Sequence, residues 1–365
     1  MEVGGRLGRL RGRLAEAGCD ALLVTSLHNI RYLTGFTGSS AMLLVTGGSA
    51  LLTTDGRYRE QSGEQLAAAG VDVDVEIGRP PEQLESLDRA TKGIARVGAE
   101  QESVSWGGVR RFQEALGQLA GSAGELVPTR GLVEGLRLVK DEGELARIEA
   151  AADVADVALA QVKERLREGL TEAQFALELD YEMRRRGADD VSFETIVASG
   201  PNGAMPHARP GDRRIEEGEK IVIDFGALVD GYHSDMTRTL SVGPVTDPRL
   251  TDLLDAVLIA QRAGVRAVKA GVEAVDVDRA CRLSLEADGF DELFVHGTGH
   301  GVGLEIHEAP ALGQGSADIL EEGSVVTVEP GAYLPGVGGV RIEDTLVVTA
   351  NGARLLTKST KDTTL

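Results

Sequence analysis

Leu7, Leu10 and Leu14 fall at helical spacing, Gly18 ends the run, and Ala21 to Thr25 follows as a short buried strand. Apolar clusters predict further strands over Ala41–Val45, Ala50–Thr53, Val71–Glu76 and Ile94–Gly98, with helices between them over Arg57–Ala69, Glu82–Thr91 and Gly108–Leu119. Strands that alternate with helices are the pattern of an α/β layer. Around Gly121–Gly131 the periodicity gives way to Gly, Ser, Pro and Thr, which reads as a linker and divides the chain into residues 1–130 and 131–365. Polar residues of the first part, among them His28, Asn29, Arg31, Tyr32 and Asp55, converge in no catalytic spacing, and His28 reads as a hydrogen-bonded histidine of a loop or strand edge.

In the second part Asp141 and Glu144 form a capping pair ahead of a three-four stripe of Leu145, Ile148, Ala152, Ala155, Leu159, Val162 and Leu166. The stripe is short and rich in Ala, so it predicts a helix packed on a sheet rather than a coiled coil. Thr171 and Gln174 open a second helix that Gly187 ends. From Ile221 to Leu240 the period changes to two: Ile221, Ile223, Phe225, Ala227 and Val229 alternate, and Asp230-Gly231 suits a type I′ turn. With Val229 facing Tyr232, Asp224 lies opposite Thr237 and diagonal to Asp235, on one face of the hairpin. Two carboxylates on one buried face need a shared proton, a basic partner or a cation, whereas on a solvated face they need nothing. Helices follow over Thr251–Ala270 and Asp276–Ala287, then strands over Ser324–Glu329 and Val340–Val348, the latter with Arg341 and Glu343 on one face.

Composition narrows the function. The chain has 365 residues, 42% of them apolar and 26% charged, with a formal charge of -20. That length suits two domains, and the acidic balance argues against nucleic acid and anionic membranes as partners. No run approaches the ~20 apolar residues of a membrane span, and the basic N-terminal stretch lacks the apolar core of an export signal. Cys19 and Cys281 are far apart and in no metal-binding spacing, as expected of a reducing cytoplasm.

Chemistry-bearing residues accumulate after Val191. His207 sits in the Gly- and Pro-rich loop SGPNGAMPHARPGD, His296, His300 and His307 in FVHGTGHGVGLEIHE, and Glu329 before Pro330-Gly331. The glycines of the second stretch do not have the G-x-G-x-x-G spacing of a dinucleotide loop. There is no G-x-S-x-G elbow and no H-E-x-x-H helix. Imidazole with four carboxylates, most at strand positions that favour apolar side chains, is a hard ligand set suited to two divalent ions, which make water a nucleophile near neutral pH.

The segments PHARPGD, IVIDFGALVDGYHSDMTRT, HGTGHGVGLEIHE, VEPGAY and VRIEDT, in this order, resemble the pita-bread-fold metallopeptidases, the family of methionine aminopeptidase, Xaa-Pro aminopeptidase, prolidase and creatinase. The resemblance spans nearly the whole chain and implies a creatinase-like α/β N-terminal domain followed by an α+β pita-bread catalytic domain. It implies that Asp224, Asp235, His300, Glu329 and Glu343 hold two divalent ions, Mn²⁺ before Co²⁺, Zn²⁺ or Fe²⁺, with Asp235 and Glu343 shared between them. His207 and His307 then match histidines that bind substrate and stabilise the transition state, His296 the histidine of the proline-side pocket, and Tyr333 and Arg341 a pair beside the metal ligands. Glu329 matches the proton shuttle.

An N-terminal domain of this size sets the chain apart from methionine aminopeptidases, and the full ligand set from metal-free creatinase. Many prolidases carry an arginine four residues after the position of His307, where it holds a dipeptide's carboxylate; here that residue is Ala311. The expectation is therefore a cytoplasmic, homodimeric Xaa-Pro aminopeptidase acting on proline-containing peptides. The alternatives are a prolidase and, third, a binding protein that has lost its metal, against which the complete ligand set speaks.

Overall fold

The central strands of the second part have one apolar and one polar face, and this division sets where the chemistry can be. Ile221, Ile223 and Phe225 on the Lys220–Phe225 strand, with Met236 and Leu240 on Met236–Ser241, pack against Ala151, Ala155 and Leu159 of a helix, Glu142–Val162. The intervening residues Asp224, Thr237 and Thr239 turn to the other face. A second helix, Glu172–Arg185, completes this layer. The arrangement then repeats: helices Pro248–Ala267 and Ala274–Ala287 place Val257, Ala260, Val277 and Cys281 against Val326 and Val328 of one strand and Leu346 and Val348 of another. Thr327 and Thr345 occupy the opposite face, so two helix-backed sheets each present a polar side.

The computed structural model describes residues 2–119, 124–361 and 364–365. It divides into two units, Met1–Arg137 and Leu138–Leu365. In the first, a six-stranded sheet runs in the order Asp74–Ile77, Ala50–Thr54, Ala41–Thr46, Ala21–Val24, Arg96–Glu100, Glu125–Thr129, with parallel and antiparallel pairs. Helices Arg6–Leu14, Leu27–Thr34, Arg59–Ala69, Pro80–Ala90 and Trp106–Leu119 accompany it. Two sequence expectations change here. His28 belongs to a helix that Ser26 caps and Gly35 ends, at φ 78°, and not to a loop or strand edge. The linker expected over 121–131 includes residues 121–123, outside the described set, but Glu125–Thr129 is a strand parallel to Arg96–Glu100. It is an edge strand, where Pro128 removes no hydrogen bond that the sheet needs.

In the second unit the hairpin has the expected register, Val229 opposite Tyr232 and Asp224 opposite Thr237. Asp230 and Gly231 both take positive φ, 45° and 71°, at its turn. The capping boxes at Asp141/Glu144 and Thr171/Gln174 are formed. The second sheet has the order Glu308–Leu312, Gly299–Gly301, Val325–Val328, Asp344–Thr349, Gly352–Leu355. The strand expected over Val340–Val348 is two: Gly338–Arg341 pairs with Gly331–Leu334, whereas Asp344–Thr349 pairs with Val325–Val328. Ile342 and Glu343 are the crossing between two sheets. Both cysteines are buried and unpaired, and no helix of the described residues is long and apolar enough to cross a membrane.

Gly226 lies where the hairpin closes most tightly, and a β-carbon there would stand 1.9 Å from the Ser234 carbonyl oxygen. Gly226→Ala must push apart the two strands that carry Asp224 and Asp235. We expect a loss of at least ~2 kcal/mol of stability, read as a lowered denaturation midpoint, together with weaker divalent-ion binding; an unshifted midpoint would contradict this packing.

Candidate metal centre

The polar faces of the two sheets meet at a cavity of about 450 Å³. Asp224, Asp235, His300, Glu329 and Glu343 all line it, together with His207, His296, His307 and Arg341. Contacts between the sheets fix the positions of the candidate ligands. Glu343 donates its backbone N–H to the Thr237 carbonyl at 3.1 Å, and the Thr237 hydroxyl donates to Glu343 Oε2 at 2.8 Å. Arg238, fully buried, donates to the Glu343 carbonyl oxygen and, at 2.9 Å, to Asp344 Oδ1. The chain therefore turns from one sheet to the other with the Glu343 carboxylate aimed inward. Gly299 permits the approach of the His300 strand, since a β-carbon there would lie 2.1 Å from the Thr327 carbonyl oxygen.

The donor atoms fit a cation and fit each other badly without one. One oxygen each of Asp235 and Glu343 and a ring nitrogen of His300 lie within 4.8 Å of one another. His300 Nδ1 is 3.0 Å from the Gly301 carbonyl, which requires the proton on Nδ1 and leaves a lone pair on Nε2. That lone pair faces Asp235 Oδ2 at 3.5 Å and Glu329 Oε1 at 3.4 Å, so with the carboxylates ionised three acceptors confront one another. Asp224 Oδ1 and Glu343 Oε1 are buried and have no hydrogen-bond partner, a state that costs stability unless an ion completes it. The other oxygen of Asp224 is satisfied by a cation of the protein: Arg341 Nη2 donates to Asp224 Oδ2 at 2.6 Å.

Burial pushes the Asp235 and Glu343 carboxyls well above the usual range, and repulsion from neighbouring carboxylates adds to it. Burial likewise raises Glu329 to about 8 and lowers His300 and His296 to about 4, which keeps both imidazoles neutral near pH 7. A neutral imidazole beside carboxyls that resist ionisation is what a divalent ion converts into a ligand set.

The remaining predicted residues fall into two groups. The His307 ring stacks edge-on against that of His300 with centroids 4.3 Å apart, and His207 borders the cavity from its loop, which Arg341 Nη1 ties down through the Pro206 carbonyl at 3.1 Å. Tyr333 does not line the cavity: its hydroxyl is 2.8 Å from His296 Nε2 and accepts from Arg341 Nη1 at 2.9 Å, behind the wall. Thr237 and Thr327 were missed as ligand supports. Thr327 donates to Glu329 Oε1 at 3.3 Å, and the period-two rule that paired Asp224 with Asp235 also puts Thr237 on their face.

Two helix-backed half-sheets closing on such a centre define a pita-bread metallohydrolase. Residues 146–350 match metallopeptidase family M24 and residues 6–139 the creatinase/prolidase N-terminal domain, and the chain belongs to that family. It is 36% identical to a Xaa-Pro dipeptidase of Pyrococcus horikoshii, with 94% of each chain covered. Among solved structures it resembles a Xaa-Pro dipeptidase from Bacillus anthracis, at 40% identity, TM-score 0.92 and 99% of each chain. It also resembles an X-Pro aminopeptidase from Thermotoga maritima, at 34% identity and TM-score 0.87, over 96% of this chain and 99% of that one.

Carboxyls with raised pKa make the metal-free folded chain bind more protons than the unfolded chain between about pH 4 and 8. Metal-free stability therefore falls as pH rises through that window, and ions that bind the ionised carboxylates restore it. Stripping divalent ions with a chelator should lower the Tm more at pH 8 than at pH 5.5; equal losses would show that these carboxyls do not hold the ions.

Proposed function

We propose that the chain is a metal-dependent Xaa-Pro dipeptidase that hydrolyses the bond between the first residue and proline in free dipeptides. The observation that carries the reading is the buried acceptor cluster of Asp235, His300, Glu329 and Glu343 at the cavity, in a chain this similar to proteins described as Xaa-Pro dipeptidases. The sequence alone favoured an aminopeptidase because Ala311 replaces an arginine. The relatives support the dipeptidase reading better, and the second reading retains Ala311 and the likeness to the Thermotoga maritima aminopeptidase.

Asp224, Asp235, His300, Glu329 and Glu343 would hold two divalent ions, which when bound supply Lewis acidity and a nucleophilic water at neutral pH. The chain's own residues do the rest. His307, beside His300, donates a hydrogen bond to the oxygen that becomes negative when water adds to the scissile carbonyl carbon, and His207 steadies the same group. Glu329 passes a proton to the proline nitrogen as the C–N bond breaks. His296, whose two ring nitrogens contact Tyr333 and the Gly297 carbonyl, packs beside the proline ring. The two free, buried cysteines support a reducing compartment.

Ala-Pro and Ala-Pro-Ala, assayed with Mn²⁺, test the reading. Ala-Pro should be cut with a kcat/KM at least ~10-fold above that for Ala-Pro-Ala, because a carboxylate moved outward loses a charge-assisted contact. Equal or faster tripeptide cleavage would establish the aminopeptidase reading instead. In the same assay His307→Ala should keep its metal and lose ~10²-fold in kcat.

A further inference from the structure

A free dipeptide brings to the cavity a C-terminal carboxylate that needs a partner of its own, apart from the ions that act on the scissile bond. Five carboxylates line the cavity, Glu194, Asp224, Asp235, Glu329 and Glu343, against two guanidinium groups, Arg209 and Arg341, and no lysine. An incoming anion needs a cation that is not already committed. Arg341 is committed: Nε donates to the Thr237 hydroxyl, Nη1 to Tyr333 Oη and the Pro206 carbonyl, and Nη2 to Asp224. His296 engages both of its ring nitrogens. Ala311, at the position where many prolidases carry an arginine, pairs across the sheet with His300, gives its backbone N–H to Asp318 at 2.9 Å, and is absent from the cavity wall.

Arg209 is different. Its guanidinium makes an ion pair with Glu194 at 3.4 Å, and the two side chains are 83% and 65% exposed. Such a pair is weak and exchangeable, since water screens it and both side chains give up freedom to form it. Its loop is firm. Pro206 and Pro210 flank it, the Pro206 carbonyl accepts from Arg341, and Ala208 donates its N–H to the Met205 carbonyl at 3.1 Å. An exposed cation on a fixed base, paired with an exposed carboxylate, can exchange that partner for a substrate carboxylate.

We propose that Arg209 binds the C-terminal carboxylate of the dipeptide and that Glu194 competes for it, so that this pair sets the preference for free dipeptides in place of an arginine at 311. The proposal rests on the dipeptidase reading and deepens it. It predicts opposite effects from the two partners. Arg209→Ala removes the anchor, and Glu194→Gln releases Arg209 for the substrate.

The experiment measures kcat and KM of the metal-loaded wild type, Arg209→Ala, Arg209→Lys and Glu194→Gln on Ala-Pro and on Ala-Pro-amide, which differs only in lacking the charge. Arg209→Ala should raise KM for Ala-Pro by about tenfold with kcat little changed, the signature of a lost ground-state contact. Arg209→Lys should restore part of that, Glu194→Gln should lower KM for Ala-Pro severalfold, and none of the three should alter cleavage of the amide. If wild type cuts Ala-Pro and Arg209→Ala leaves both substrates unchanged or weakens both equally, Arg209 is not the anchor while the dipeptidase reading survives. A wild type that cuts Ala-Pro-amide but not Ala-Pro overturns both.

Discussion

More negative charge is buried at the meeting of the two half-sheets than the protein itself neutralises. Asp235 is 5% exposed, Glu343 1% and Arg341 3%, and the single guanidinium satisfies one oxygen of Asp224 while the acceptors of Asp235, His300 and Glu329 still face one another. Removing carboxylates from water without partners is strongly unfavourable. The folded chain can hold them only by keeping protons on them or by taking up cations, and this choice links the stability of the second unit to pH and to metal.

The rest of that unit is arranged to keep the charges where they are. Each half contributes a pair of helices whose apolar faces cover one side of a sheet, which leaves the other side free for polar groups. Asp224 and Asp235 come from the first half, and His300, Glu329 and Glu343 from the second. Contacts that join the halves run through or beside the candidate ligands: Thr237 to Glu343, Thr239 to Arg341, and Arg238 to Glu343 and Asp344. Asp344 also accepts from Gln261 at 2.9 Å and pairs with Lys361, so one buried carboxylate next to a ligand is fully satisfied. Asp344 is surrounded by donors, whereas Glu343 has an orphan oxygen, and this contrast separates a structural carboxylate from a candidate ligand.

Local patterns carried much of this. The alternation through Ile221–Phe225 and the Asp230-Gly231 turn determine the register that puts Asp224 opposite Thr237, and the capping boxes mark two helices correctly. What escaped depends on contacts distant in sequence. Val340–Val348 reads as one strand because apolar residues continue through it, whereas the break at Ile342–Glu343 arises because its halves pair with different partners. The Glu125–Thr129 strand is hidden by Pro128, which an edge can accept. The Leu27–Thr34 helix had readable signals, Ser26 before it and Gly35 after it, but is only eight residues long. Ala311 showed which cation was missing, and only the folded cavity brings Arg209 into view.

The most direct test is the metal content of one substitution. Native mass spectrometry after equilibration with Mn²⁺ should find two ions on each wild-type chain and their loss from Glu343→Ala, with the circular dichroism spectrum unchanged, because Glu343 bears the orphan oxygen between the halves. Two ions and full hydrolytic activity retained by Glu343→Ala would contradict the account.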